Sequence, residues 1–187
     1  MSPFEGIGIV KLNVIKDGKS IAEPTGMLRY LAILIIASPV LALPALSGDF
    51  KSGDTAFARG DYARALREWK MVAKKGNVAA QFNLGLMYEK GLGVNLENKE
   101  AARWYLKAAE QGHAKAQNNL GAMYAAGLGV LKDHRRAHMW WNISALNGIK
   151  SAAENKMRIE RMMSSDQVDK AKQMARECVL KKKLTGC

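Results

Sequence analysis

Along residues 78–90 the apolar side chains Ala80, Leu84, Met87 and Tyr88 recur at i, i+4, i+7 and i+8, and along 99–111 Ala101, Trp104, Tyr105 and Ala108 recur at i, i+3, i+4 and i+7. Both spacings follow the 3.6-residue turn, so each stretch reads as an amphipathic helix with one buried stripe. Between them Gly91-Leu92-Gly93-Val94 places two residues that tolerate positive φ where the first helix must stop, with Leu92 and Val94 set to fold back on the core. The polar run from Asn95 to Asn98 then starts the second helix.

The whole unit recurs. Residues 77–112 and 113–148 align without a gap at a shift of 36, and 15 of the 36 pairs are identical, among them Gln81/Gln117, Asn83/Asn119, Leu84/Leu120, Gly85/Gly121, Tyr88/Tyr124, Trp104/Trp140 and both Gly-Leu-Gly-Val loops. Chance pairing would give about two or three, so the chain is a periodic stack of helical hairpins. The period fades outward, through Ala65, Arg67, Ala73 and Gly76 upstream and Ala152 and Asn155 downstream. Terminal units that meet water on one side are expected to blur in this way. Gly85 and Gly121 lie inside helices, where glycine costs about 1 kcal/mol against alanine. The expectation is that two helix backbones cross closely there, against alanines of the facing helix.

After the repeats, Ser164-Ser165-Asp166-Gln167 has the form of a capping box, and Val168, Ala171, Met174, Ala175 and Cys178 trace one helical face. A final helix over about 165–180 is expected to seal the open end of the stack. Before the repeats, residues 31–46 read LAILIIASPVLALPAL without a charge. Sixteen residues interrupted by Pro39 and Pro44 are short for a bilayer span of roughly 20 residues. A cleaved secretory signal fits better, with Met27-Leu28-Arg29 as its positive end and cleavage after Ala42 or Ser47. An uncleaved membrane anchor is the alternative. Translation from Met1 or from Met27 is left open. The expected organisation is an N-terminal extension and signal over 1–47, a degenerate first hairpin over 48–76, repeats at 77–112 and 113–148, and a degenerate repeat helix, capping helix and basic tail over 149–187.

Composition narrows the chemistry. The chain has 187 residues, is 48% apolar and 25% charged, and carries a net charge of +12. From Gly48 onward 25 basic and 14 acidic residues leave 25 − 14 = +11, so the basicity belongs to the exported part. With 2 cysteines and 3 histidines, a zinc finger or multi-metal site has too few ligands, and neither a metal nor a cofactor is expected. A basic surface attracts an acidic protein or an anionic cell-envelope polymer. Nucleic acid is not expected, because export would separate the two and no basic-aromatic recognition motif is present. Cys178 and Cys187 either pair, pinning the basic tail Lys181-Lys182-Lys183, or remain two thiols, and an exported location favours the pair.

The pattern A-Q-x-N-L-G-x-M-Y-x-x-G-L-G-V, followed by A-x-x-W and A-A-E-Q-G, resembles the Sel-one-like repeat (SLR) family, helical-hairpin relatives of the tetratricopeptide repeats. The similarity spans roughly 61–155, while 57–66 lack the glycine loop and look more like an ordinary tetratricopeptide unit. The resemblance implies an all-α, right-handed solenoid of antiparallel helix pairs that serves as a protein-binding scaffold and is often exported from bacteria, to the periplasm or the medium.

If Ala80, Leu84, Met87 and Tyr88 face the core, the opposite side of that helix carries Phe82, Leu86 and Glu89. One and two periods on stand Asn118, Ala122 and Ala125, then Glu154, Arg158 and Arg161. These nine are the expected inner face for a protein or peptide partner, apolar at one end and charged at the other. Phe82 either docks a partner or packs on the preceding hairpin. The rival reading is a cell-envelope or metal-dependent hydrolase using His134 and His138 at i, i+4, with Asp133 beside them. That pair lacks the glutamate of the zinc-protease signature and reads better as a surface pair, and no nucleophile-base motif or phosphate loop is present. His113 falls in the turn between repeats.

Overall fold

The computed structural model describes residues 49–180 and Gly186. The expected signal segment and most of the basic tail lie outside the described residues. Eight helices follow one another, with no strand among the described residues: α1 (Phe50–Ala58), α2 (Tyr62–Lys74), α3 (Val78–Lys90), α4 (Asn98–Glu110), α5 (Ala114–Ala126), α6 (His134–Leu146), α7 (Lys150–Glu160) and α8 (Ser165–Leu180). None of the described helices is long and apolar enough to cross a membrane. From α1 to α7 each helix packs on the next in chain order, and α8 lies instead on α6. The result is a helical solenoid closed at its C-terminal end.

Local chemistry sets the helix starts. Six side chains accept from the otherwise unpaired first-turn amides: Asp49, Asp61, Asn77, His113, Asp133 and Ser164. The box before α8 is reciprocal, Gln167 N–H donating to Ser164 Oγ at 3.3 Å and Ser164 N–H to Gln167 Oε1 at 3.0 Å. α3 and α5 end at Gly91 and Gly127, with φ of 66° and 76°. Leu92 N–H then reaches Met87 O, and Leu128 N–H reaches Met123 O, each at 3.0 Å. Val94, Val130 and Leu92 pack against the core, but Leu128 does not fold back as the repeat predicts: it stands 47% exposed.

Small residues and aromatics build the core together. Ala80, Ala101, Ala108, Ala109, Ala116 and Ala137 are fully buried and let the helices approach, while Trp69, Tyr105, Trp140 and Trp141 fill the space between them. The role expected of Gly85 and Gly121 needs correction. A β-carbon at Gly85 would lie 2.5 Å from the Tyr105 ring, and one at Gly121 would lie 2.8 Å from the Trp141 ring, so what passes these glycines is a flat side chain of the next helix and not its backbone. Backbone meets backbone elsewhere. A β-carbon at Gly93 would overlap the carbonyl carbon of Tyr62 at 2.7 Å, and one at Gly129 would overlap Asn98. Tyr62 and Asn98 are themselves 36 residues apart, so each glycine loop seats on the N-terminus of the second helix of the preceding unit.

Buried glutamines bind the units in the same period. Gln81 Nε2 donates to Ala73 O at 3.1 Å, and Gln117 Nε2 donates to Ala109 O at 3.1 Å. Each glutamine thus reaches back to the preceding unit and also accepts from the end of its own hairpin, Gln81 Oε1 from Gln111 Nε2 at 2.7 Å and Gln117 Oε1 from Asn147 Nδ2 at 3.0 Å. A buried amide satisfied on both sides fixes the register of neighbouring units. In α8, Ala171, Ala175 and Cys178 are buried, and the Cys178 sulfur rests 3.9 Å from Met139 Sδ of α6. Cys178 is disulfide-bonded; Cys187, the other cysteine of the chain, lies outside the described residues.

Candidate functional site

The first helices α3, α5 and α7 carry the nine expected inner-face residues, and the structure divides them into three kinds. Three support the packing. Phe82 stacks on His113 with ring centroids 4.4 Å apart and leans on Tyr105 at 5.9 Å, so its ring packs on the following elements. Glu89 accepts from the Tyr105 hydroxyl at 2.5 Å. Burial first, then this carboxylate, push the Tyr105 hydroxyl far above its ordinary pKa, so it stays a proton donor. Asn118 accepts on its carbonyl from Trp141 Nε1 at 3.0 Å.

Three others line hollows on this side. Leu86 helps to form one of about 260 Å³ with Asp54, Phe57, Trp69 and Asn83. Ala125 and Arg158 help to form a second, also of about 260 Å³, with Ala126, Lys132, His134, Trp141, Asn155 and Ile159. The remaining three, Ala122, Glu154 and Arg161, are exposed.

The two hollows are the same site met twice. Adding 72, two periods of 36, carries Trp69 to Trp141, Asn83 to Asn155 and Leu86 to Arg158, while the shorter turn after α1 makes the shift 68 there, as Gly53 against Trp69 and Gly121 against Trp141 mark, and carries Phe57 to Ala125. The intermediate equivalents are Glu89, Tyr105, Asn119 and Ala122. There Tyr105 is fully buried beside Phe82, and Ala122 is small and exposed. An aromatic wall and a side-chain amide thus recur along this side. The apolar hollows suit side chains, and asparagine amides offer both a donor and an acceptor to a peptide group. Reading one helix at a time misses these walls, since Trp69 and Trp141 come from second helices. Their signal was the 72-residue spacing of the two tryptophans.

His134 and His138 do not form the surface pair expected of them. His138 is fully buried, its Nε2 is 2.7 Å from Glu160 Oε1, and its Nδ1 is buried without a hydrogen-bond partner. Burial holds its pKa below the ordinary value against the opposing pull of Glu160, so the neutral ring donates from Nε2. His134 lines the second hollow. No group of three or more metal-ligating side chains occurs among the described residues. His113 caps α5, its Nδ1 accepting from Ala116 N–H at 3.2 Å. A further hollow of about 400 Å³, lined by Glu110, Gln111, Ile143, Leu146 and Val179, has the Gly186 amide on its rim, donating to Glu110 Oε1 at 3.0 Å.

Comparison with known proteins agrees with this architecture. The Sel1 repeat family matches residues 78–113 and 114–149. Among solved structures, the chain is similar to c5321, a protective antigen of uropathogenic Escherichia coli strains displaying an SLR fold. The identity is 33%, over 67% of this chain and 28% of that one, with a TM-score of 0.64. It is also similar to a Sel1 repeat protein from Oxalobacter formigenes, at 36% identity over 58% of this chain and 44% of that one, with a TM-score of 0.55. The chain therefore spans less than half the length of either. Comparison with curated proteins gives no match. Sel1 repeats are in general protein-interaction units. With its periodic hairpins, its glycine loops seated unit on unit and its 36-residue ladder of buried glutamines, the chain carries two consecutive Sel1 repeats in a helical solenoid of the SLR type.

Proposed function

We propose that the chain is a non-enzymatic interaction scaffold, exported to the periplasm or the medium, that holds a protein or peptide partner along α3, α5 and α7. The observation that carries this reading is the pair of apolar hollows, equivalent by the repeat and open on one side of the stack. Partner binding through a solenoid uses such recurring positions, because each unit presents the same backbone to a different stretch of the ligand. The hydrolase reading is disfavoured by His138, whose Nε2 is taken by Glu160 inside the fold. Export rests on the apolar run at 31–46 and leaves a mature chain beginning after Ala42 or Ser47.

The test is crosslinking in the native host from a photoreactive residue placed at exposed Ala122, with mass spectrometry of the captured neighbours and of the mature N-terminus. A protein or peptide captured at 122, and lost when Leu86→Trp fills the first hollow, supports the scaffold. Capture at 122 that is unchanged by Leu86→Trp, or retention of the whole chain in the cytoplasm, overturns it. Binding that collapses between low and moderate salt, with an envelope polymer as the captured species, favours the charge-driven alternative.

A further inference from the structure

The two equivalent hollows differ in one respect that the repeat does not dictate, which is their charge. The first holds a single charged side chain, Asp54. The second is lined by Lys132, His134 and Arg158, with no carboxylate among its lining residues. Arg158 stands where the first hollow has Leu86, and uncharged Ala122 falls where it has Asp54, since Gly53 meets Trp69 as Gly121 meets Trp141. The neighbouring acid, Asp133, is already spent: it caps α6 through the Arg135 and Arg136 amides and lies 3.8 Å from both guanidinium groups. Arg158 makes no ion pair among the described residues, and exposed Arg161 follows it one turn on.

Spacing limits the ligand as strongly as charge does. Helices pack with their axes about 8–10 Å apart, so two units place the hollows on the order of 20 Å from each other. A compact small molecule cannot fill both. An extended polypeptide rises about 3.3 Å per residue and shows every second side chain to the same side, so residues i and i+6 reach about 20 Å on one face.

Resting on the reading of this face as a partner site, we propose that its ligand is an extended peptide segment with two bulky apolar side chains about six residues apart and one or more carboxylates next to the one that enters the Trp141 hollow. The apolar side chains contact Trp69 and Trp141, and the carboxylate meets Lys132 and Arg158 at the rim, where it remains partly hydrated. Charge of this kind selects among ligands more than it adds affinity.

The test uses three synthetic peptides, acetylated and amidated, each with Phe at i and i+6 across a serine and glutamine spacer and followed by Asp-Asp, Lys-Lys or Ser-Ser. Titration by fluorescence anisotropy is expected to show the Asp-Asp peptide binding at least tenfold tighter than the Lys-Lys peptide. A version with Phe at i and i+2 is expected to lose about tenfold. Arg158→Glu removes the preference for Asp-Asp, whereas Lys70→Glu, an equal change of net charge at an exposed position on α2, leaves it in place. Equal affinity for the three peptides, or a preference that survives Arg158→Glu, overturns the proposal. Capture at Ala122 in the host with no charge preference among the peptides defeats this inference alone, and failure of both defeats the scaffold reading as well.

Discussion

Gly129 lies directly against the carbonyl of Asn98, so that a β-carbon at position 129 would overlap it. The contact joins the glycine loop of one unit to the first turn of the second helix of the preceding one. Gly129 also has a φ of 69°, which other residues adopt at a cost. Gly129→Ala therefore combines two penalties, and neither backbone can move without shifting a helix. A loss of about 2–4 kcal/mol in urea unfolding is expected. Gly112, with φ of 86° and open space around it, provides the control: Gly112→Ala is expected to cost about 1 kcal/mol, from backbone strain alone. Equal losses at the two positions would show that conformation, and not the seating of the loop, sets the cost.

The glutamine ladder makes a second prediction. Gln117 is fully buried, donates to Ala109 O and accepts from Asn147 Nδ2. Gln117→Leu keeps the volume roughly constant and leaves the Ala109 carbonyl and the Asn147 amide without this partner. A buried hydrogen bond contributes about 0.5–1.5 kcal/mol net. Asn147 is exposed and can turn to water, and Ala109 O keeps its bond from Gly112 N–H at 2.9 Å, so the loss is that of the glutamine's bond and not of an orphaned carbonyl. Gln117→Leu should lower the unfolding free energy by that amount, and Asn147→Ala by about 1 kcal/mol or less.

Two histidines make stability depend on pH. Burial lowers the pKa of His138, assisted by Lys156 and Lys172 and opposed by Glu160, and burial followed by Lys115 lowers that of His113. The folded state thus binds fewer protons than the unfolded one. The stabilisation is complete above the unfolded value of about 6.5 and is lost as pH falls through the lower folded values. Protonated His113 could no longer accept from Ala116 N–H, and protonated His138 would bury an N–H at Nδ1 without an acceptor. The His138 hydrogen bond holds Glu160 below its ordinary pKa, so its contribution is lost in the same direction at still lower pH. Thermal melts should give a Tm that falls from pH 7.5 to 5. His138→Gln should flatten that fall, at the expense of stability at neutral pH.

Much of this architecture was legible because periodicity repeats its own message. α3 and α8 occupy the spans that their apolar stripes mark, and α4 differs from its expected span by one residue at each end. The reciprocal box at Ser164 and Gln167 forms as its spacing predicts. The departures come where the partner of a residue lies on another element. Gly85 and Gly121 announced a close approach, but only the packing of α4 and α6 shows that rings make it. Phe82 and Glu89 occupy the outward positions of a helical wheel, yet Tyr105 of the next helix claims both. His138 looked like a surface residue because Glu160, 22 residues away, leaves no local mark in the sequence. The nine-residue face was read from single helices, and the hollows need walls from α2 and α6.

The wall of the second hollow links stability to binding. A β-carbon at Gly121 would sit 2.8 Å from Trp141 Cδ1 and Nε1, and Nε1 is held by the Asn118 carbonyl at 3.0 Å. Gly121→Ala gains about 1 kcal/mol in helix propensity. It also drives a buried ring off its position and away from its acceptor, an overpacking that costs about 1–3 kcal/mol. The net expectation is a loss of stability accompanied by a change in the hollow, since the displaced indole is its wall. In a Trp141→Leu background the overlap disappears and only the propensity gain remains, so Gly121→Ala should there become neutral or stabilising. The double-mutant cycle measured by urea unfolding reads this as a coupling of about 1–3 kcal/mol. Zero coupling would mean that the ring moves at no cost, and Trp141 would then not be the fixed wall that the second hollow requires.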